Sequence, residues 1–259
     1  MSSELLMISF LAFLLMAPVE KPISLKIDGV ERTGVLVLPS GAAQGKVPLV
    51  FGFHGHGGGA KQAQRSFKIE KEWPEAAVVY LQGLPTPGQL TDPEGKKNGW
   101  QGNKGDQGDR DLKFFDETLK WVKTQVKVDD KRIYTMGHSN GGGYSYLLWS
   151  THPGLFAAVG VSAGGFRSAD GAKPAPIIHI AGEADPLVKF RGQEFNVGRV
   201  RKLNGCDAEG KAWGGIEGAV EWKAPGGNSV VMITHPGDHK YVPEASSWFV
   251  KFFKEHTKS

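Results

Sequence analysis

The stretch Arg132-Ile133-Tyr134-Thr135-Met136-Gly137-His138-Ser139-Asn140-Gly141-Gly142-Gly143-Tyr144-Ser145-Tyr146-Leu147-Leu148 decides how this chain is read. Arg132 to Met136 reads as a strand, and Gly141 to Ser150 as a helix. Between them Gly137-His138-Ser139-Asn140-Gly141 forms a G-x-S-x-G pattern. A serine at such a joint is pushed out on a tight turn, and small residues two before and two after it let the turn close. The pattern by itself is weak. Glycine accounts for 36 of 259 residues, so roughly 0.3 matches are expected by chance. Gly160-Val161-Ser162-Ala163-Gly164 fits as well. Context separates the two. Ser162 follows a strand, Phe156 to Val161, but Gly164-Gly165-Phe166-Arg167 and Pro174 beyond it show no helical period. Ser139 is therefore the candidate nucleophile, and Ser162 is read as a strand-end turn.

Outward from this joint the chain alternates short strands with amphipathic helices. Ile23 to Asp28 and Thr33 to Leu38 flank Gly29 as an opening hairpin. Val47 to Phe53 and Ala76 to Leu81 are continuous apolar runs, the mark of strands covered on both faces. In Arg110 to Val126, the residues Leu112, Phe115, Leu119, Val122 and Val126 fall on one helical stripe. Ile177 to Ala181 and Val230 to Ile233 complete the strands, and Ala245, Trp248, Phe249, Phe252 and Phe253 line one face of a closing helix. This order predicts an α/β fold: a mostly parallel central sheet flanked by helices, with an opening antiparallel hairpin. Gly83 to Gly108, rich in Gly, Pro, Lys and Asp, fits neither element type, and a loop of that length is usually functional or mobile.

Composition narrows the function. The net charge is +4 and no Lys/Arg run exceeds two residues, so no nucleic-acid partner is expected. The single cysteine, Cys206, excludes an internal disulfide and a cysteine-based zinc site. Leu5 to Ala17 is the one long apolar run. It is shorter than the roughly 20 residues of a bilayer span and has the length of a signal-peptide core. Residues 1–17 are read as a signal peptide and 18–259 as one catalytic domain, secreted or periplasmic, monomeric and without a membrane anchor.

A serine hydroxyl needs a base, a group to orient the base, and donors for the oxyanion that forms. His54-Gly55-His56-Gly57-Gly58-Gly59 follows the strand Val47–Phe53, and its glycines let backbone N–H groups approach a ligand. The N–H groups of His56 and Asn140 are the candidate oxyanion donors. A metal held by His54 and His56 is the rival reading, disfavoured because no acidic or further histidine partner lies nearby in sequence. No metal or cofactor is expected. Asp185 is the candidate acid, with Glu183 as its competitor, both just beyond Ile177–Ala181. His239, after the last strand, is the candidate base, with His235 as its rival. The order Ser139, Asp185, His239 is that of α/β-hydrolases. His138, His152, His179 and His256 are read as structural.

With these residues in place, the chain resembles the esterase group that contains feruloyl esterases, acetylxylan esterases and polyhydroxybutyrate depolymerases, carbohydrate esterase family one in the broad sense. The matching runs are PLVFGFHGHGGG, NGWQ, GDRDLKFFDETLKWVKTQVKVDDKRIYTMGHSNGGGYSYLL, FAAVGVSAGG, IIHIAGEADPLV and PGDHKYVPEASSWFVKFF. The resemblance implies an α/β-hydrolase with Ser139 as nucleophile, Asp185 as acid, His239 as base and oxyanion donors at His56 and Asn140. It also implies a feruloyl or acetyl ester on plant cell-wall polysaccharide as substrate, with a polyester as the near alternative. Trp100, in NGWQG, would stack on a sugar or phenolic ring or else anchor its loop, and His54 is placed with it as substrate-binding. The chain departs from the group at its base, where PGDHKYVP stands in place of a more glycine-rich G-x-G-H-x-W-P, and in its unpaired Cys206. A peptidase or thioesterase shares the same triad, and a non-catalytic binding protein could keep the scaffold.

Overall fold

The computed structural model describes residues 19–39, 45–88 and 90–258; the expected signal peptide, 1–17, lies outside them. Strands β1 (Glu20–Ile27) and β2 (Val30–Val37) form the opening hairpin. Its two-residue turn places Asp28 and Gly29 at φ 48° and 84°, the left-handed pair that matches strand twist. Strand β3 (Val47–Phe53) leads into helices α1 (Ala60–Phe67) and α2 (Ile69–Glu72), then strand β4 (Ala77–Leu81). A two-stranded ribbon follows, β5 (Leu84–Pro85) with β6 (Asn98–Gly99), and then helix α3 (Arg110–Gln125). Strand β7 (Val128–His138) turns into helix α4 (Asn140–Thr151). Then come strands β8 (Ala158–Ser162) and β9 (Ile177–Gly182), helix α5 (Phe190–Asn204), strands β10 (Lys211–Ala212), β11 (Ala219–Trp222) and β12 (Val230–His235), and helix α6 (Ala245–Lys254).

Ten strands form one sheet in the order β1-β2-β4-β3-β7-β8-β9-β12-β11-β10. The six from β4 to β12 run parallel, and an antiparallel pair closes each edge. Every residue of β3, β4 and β9 is buried, as apolar runs covered on both faces require. Alternate residues feed two cores. Phe51 and Phe53 face α3 and α4, while Val50, Tyr80 and Met136 face α1 and α6. Helix α6 contributes Phe249, Phe252 and Phe253, all fully buried, each worth about 1.5–3 kcal/mol of apolar transfer.

The sheet order explains where a site can form. From β3 the chain moves to β4 on one side and returns through α3 to β7 on the other. The connections leaving β3 and β7 thus run to opposite sides, through α1 to β4 and through α4 to β8, opening the crevice where open α/β sheets bind ligands. The segment from Gly83 to Gly108 borders this crevice. Beyond its ribbon it is tied down from within. Arg32 of β2 and Asp111 of α3 form a buried ion pair, Nη2 to Oδ1 2.7 Å. The other Asp111 oxygen accepts the Gln101 N–H at 2.8 Å, and Gln101 Oε1 accepts the Asp111 N–H at 3.1 Å.

The edge pair β10–β11 and the helices α1 and α5 have no counterpart in the sequence reading. Helix α5 buries only Gln193, Val197, Val200 and Asn204, too few apolar residues to mark a stripe. Trp222 ends strand β11 beneath the Arg201 guanidinium, and Trp213 is buried.

Two consequences for stability follow. Asp111→Ala strands the Arg32 charge in the core, and the expected loss is about 3–5 kcal/mol in urea unfolding; a loss under about 1 kcal/mol would contradict the role given to the pair. His54 and His179 are buried, and desolvation depresses each to about 4. The unfolded chain binds their protons first, near the ordinary histidine value of about 6.5. Stability is therefore retained above that value and lost as pH falls toward 4. Urea midpoints measured across this window are expected to drop, and a flat profile would contradict it.

Candidate active site

Strand β7 meets helix α4 at Ser139, whose backbone sits at φ 55°, ψ −120°. This conformation is costly for a non-glycine residue and persists only where the surroundings enforce it. The surroundings do so through glycine. A Cβ on Gly141 would collide with the carbonyl oxygens of Phe53 and His54 at the end of β3, and one on Gly137 with the backbone of Gly141. The Ser139 N–H donates to the Ser162 carbonyl at 2.8 Å. Ser162, the other G-x-S-x-G serine, thus braces the turn from the next strand, and its hydroxyl lies 3.0 Å from His138 Nδ1.

Ser139 Oγ lies 2.7 Å from Nε2 of His239, and His239 Nδ1 lies 2.7 Å from Oδ2 of Asp185. The three residues come from the ends of three strands, β7, β9 and β12. The loop carrying His239 reaches Asp185 because it lies flat on Gly182, where a Cβ would strike the carbonyls of Gly237 and Asp238. Asp185 is buried, and its Oδ1 accepts the N–H groups of Leu187 (2.8 Å) and Val188 (2.9 Å). These donors compensate the burial of its charge. Glu183, the competing acid, is exposed to solvent. His235, the rival base, accepts the Gly237 N–H at 3.1 Å inside its own turn. The His138 ring lies 5.1 Å from that of His239, centroid to centroid, and desolvation followed by the neighbouring His239 depresses it to about 4. A neutral His138 does not oppose a positive charge on His239.

Gly55 packs against Ser139 Cβ, so the loop after β3 lies beside the serine. Among the described residues, the N–H groups of His56 and Asn140 donate to no protein acceptor. Their neighbours are committed, Gly57 N–H to the Asn98 carbonyl (2.7 Å) and Gly58 N–H to that of Gly55 (3.0 Å). Asn140 also has a side-chain role that the sequence did not signal. Its Oδ1 accepts the Trp100 N–H at 2.7 Å and its Nδ2 donates to the Trp100 carbonyl at 3.1 Å. The His56 side chain reaches Asp92, Nε2 to Oδ2 3.0 Å. These contacts, with the ribbon β5–β6, hold the segment between Gly83 and Gly108 over the crevice.

Two sequence expectations need correction. His54 does not face substrate. It is 1% exposed, its Nδ1 donates to the Gly55 carbonyl (2.7 Å) and its Nε2 accepts the Gly83 N–H (3.0 Å). With both ring nitrogens committed, it is not free to share a metal with His56 either. Trp100 is 1% exposed, stacks on Tyr144 at 5.1 Å and donates its indole N–H to the His54 carbonyl. It anchors its loop at the cleft floor and offers no open face for a sugar or phenol to stack on. Apolar packing outweighed the exposure that its polar sequence neighbours suggest.

Ser139 and His239 open into a cleft of about 780 Å³. Its lining includes Thr86, Pro87 and Leu90 of the long segment and Phe166, Arg167 and Leu187 from the loops after β8 and β9. A hydroxyl, an imidazole and a buried carboxylate in one hydrogen-bonded row, beside uncommitted backbone donors, can carry out acyl transfer.

The comparisons agree. Residues 33–190 match the family described as Esterase PHB depolymerase. The chain is 30% identical over 207 residues to a probable feruloyl esterase C of Aspergillus clavatus, covering 75% of this chain and 70% of that protein. It is 28% identical over 218 residues to feruloyl esterase C of Emericella nidulans, covering 82% and 77% respectively. Among solved structures, acetyl xylan esterase from Aspergillus awamori superposes with a TM-score of 0.65 at 13% identity, covering 91% of this chain and 99% of that one. A thermostable esterase gives 0.64 at 18% identity, covering 92% of this chain and 63% of that one. The chain belongs to the Esterase PHB depolymerase family and is a serine esterase of the α/β-hydrolase fold.

Proposed function

We propose that Ser139, His239 and Asp185 act as nucleophile, base and orienting acid in hydrolysis of a carboxylic ester through an acyl-enzyme. The observation that carries this reading is the unbroken row from Ser139 Oγ through His239 to the buried Asp185, two contacts of 2.7 Å, at the mouth of a cleft. His239 Nε2 takes the hydroxyl proton as Oγ attacks the ester carbonyl. Asp185 holds the tautomer with hydrogen on Nδ1 and stabilises the imidazolium. The His56 and Asn140 N–H groups receive the oxyanion, a contribution worth about 10²–10³ in rate per donor. The imidazolium then protonates the leaving alcohol. Water, deprotonated by His239, releases the acid.

The substrate we propose is a feruloyl or acetyl ester on plant cell-wall polysaccharide. The names of the relatives and the volume of the cleft support it. The family description favours a second reading, a polyester such as polyhydroxybutyrate. Export of a monomer after loss of residues 1–17 belongs to the same proposal and rests on the apolar run Leu5–Ala17. No helix among the described residues is long and apolar enough to cross a membrane.

Turnover of methyl ferulate, acetylated xylan and polyhydroxybutyrate film separates the substrates, and action on the film alone would overturn the polysaccharide reading. Ser139→Ala is expected to lower kcat/KM on a p-nitrophenyl ester by roughly 10⁴-fold or more. Asp185→Asn is expected to lower kcat by about 10⁴-fold, because the amide favours the wrong histidine tautomer. Wild-type rates in either variant would remove the assignment, and no turnover by the wild type on any ester would favour a binding protein.

A further inference from the structure

A row of buried polar side chains continues behind Asp185, with no part in ester chemistry. Gln193 of α5 and His179 of β9 are both fully buried, and Tyr146 of α4 is 1% exposed. Gln193 Nε2 lies 2.6 Å from the Val188 carbonyl oxygen and 3.3 Å from Asp185 Oδ2. Gln193 Oε1 lies 2.9 Å from His179 Nε2, and His179 Nδ1 lies 2.9 Å from the Tyr146 hydroxyl. Polar groups are costly in a core unless each is hydrogen-bonded, and an apolar set of the same size would fill this space without that requirement.

The direction of every proton in the row can be worked out from its acidic end. A carbonyl oxygen and a carboxylate only accept, so the amide end facing Val188 and Asp185 is the NH₂. Oε1 then faces His179, whose Nε2 must carry hydrogen. Burial keeps this imidazole neutral at pH 7, with its titration pushed down to about 4. Its Nδ1 is therefore bare and accepts the Tyr146 O–H. The row closes on itself, because Tyr146 stands two turns along the helix that begins at Ser139.

We propose that Gln193, locked by His179 and Tyr146, is a positioning residue for Asp185, holding Oδ2 on the Nδ1–H of His239. This rests on the triad assignment above. Two backbone N–H groups hold Oδ1, whereas Oδ2 accepts only from side chains among the described residues, so its restraint depends on them. Gln193 supplies the second hold. Among the described residues it is the one side chain other than His239 that donates to Oδ2. Its N–H also draws charge from that oxygen, so losing it leaves more negative charge facing the imidazolium even as the carboxylate loses its restraint. Among the ionisable groups around His239 and Asp185, burial depresses His138 to about 4 and lowers His235, and Asp238 pairs with Lys240 at the surface.

The variant Gln193→Met keeps the volume and removes the donor. The expected result is a roughly tenfold lower kcat with KM within about twofold, and an acid limb of the kcat/KM profile moved to higher pH. A folded Gln193→Met with wild-type kcat and an unmoved limb would overturn the proposal. Should that variant not fold, ¹⁵N-histidine NMR of the wild type decides. His179 is expected as the neutral Nε2–H tautomer from pH 6 to 8, a window set well above its value of about 4. The Nδ1–H tautomer would turn the Gln193 carbonyl toward Asp185 and overturn it. Loss of the triad itself reads differently, as undiminished turnover in Ser139→Ala.

Discussion

The whole site depends on how closely strand β7 and helix α4 pass the end of β3. No side chain fits at 137 or 141, because the carbonyls of Phe53 and His54 and the backbone of Gly141 occupy the space. That contact holds Ser139 at a positive φ and lifts its hydroxyl above the sheet. The same closeness brings the loop after β3, with its uncommitted His56 N–H, beside Ser139. One steric constraint thus sets both Ser139 and the backbone N–H groups proposed as its oxyanion donors. A larger residue at either glycine would move both at once.

The crevice side of this arrangement is held by buried and half-buried polar contacts as well as by apolar packing. Asn140 clamps the Trp100 backbone, Arg32 and Asp111 tie the long segment to β2 and α3, and Gln193 backs the acid. Each group is costly if left unpaired, so each permits few alternative geometries. Preorganisation of this kind lets a site stabilise developing charge without rearranging during the reaction. Histidines take different parts within one small region. His54 and His179 are interior braces kept neutral by burial, while His239 lines the cleft.

The features legible in the sequence were those with a local cause. The strand–turn–helix around Ser139, the apolar runs of β3 and β4 and the aromatic stripe of α6 each announce themselves within a few residues. Asp185 and His239 could be placed because each follows a strand in the order the fold imposes. What escaped notice is non-local. Helix α5 has two internal glycines and only a narrow buried face, and Gln193 gains its meaning from Asp185 and His179 across the fold. Trp100 has polar sequence neighbours, yet it is covered by Tyr144, Phe53 and His54, which lie far from it along the chain. His54 shares a glycine-rich loop with His56, but its ring turns inward because Gly83 and Gly55 satisfy both nitrogens there.

The central claim is that the Ser139 oxygen is activated by its neighbours. Covalent capture tests it most directly: the native protein is treated with a fluorophosphonate, and the modified residue is located by peptide mass spectrometry. The account predicts one adduct, on Ser139, that disappears when the protein is unfolded before treatment. An adduct on Ser162, or none on the folded protein, would contradict it.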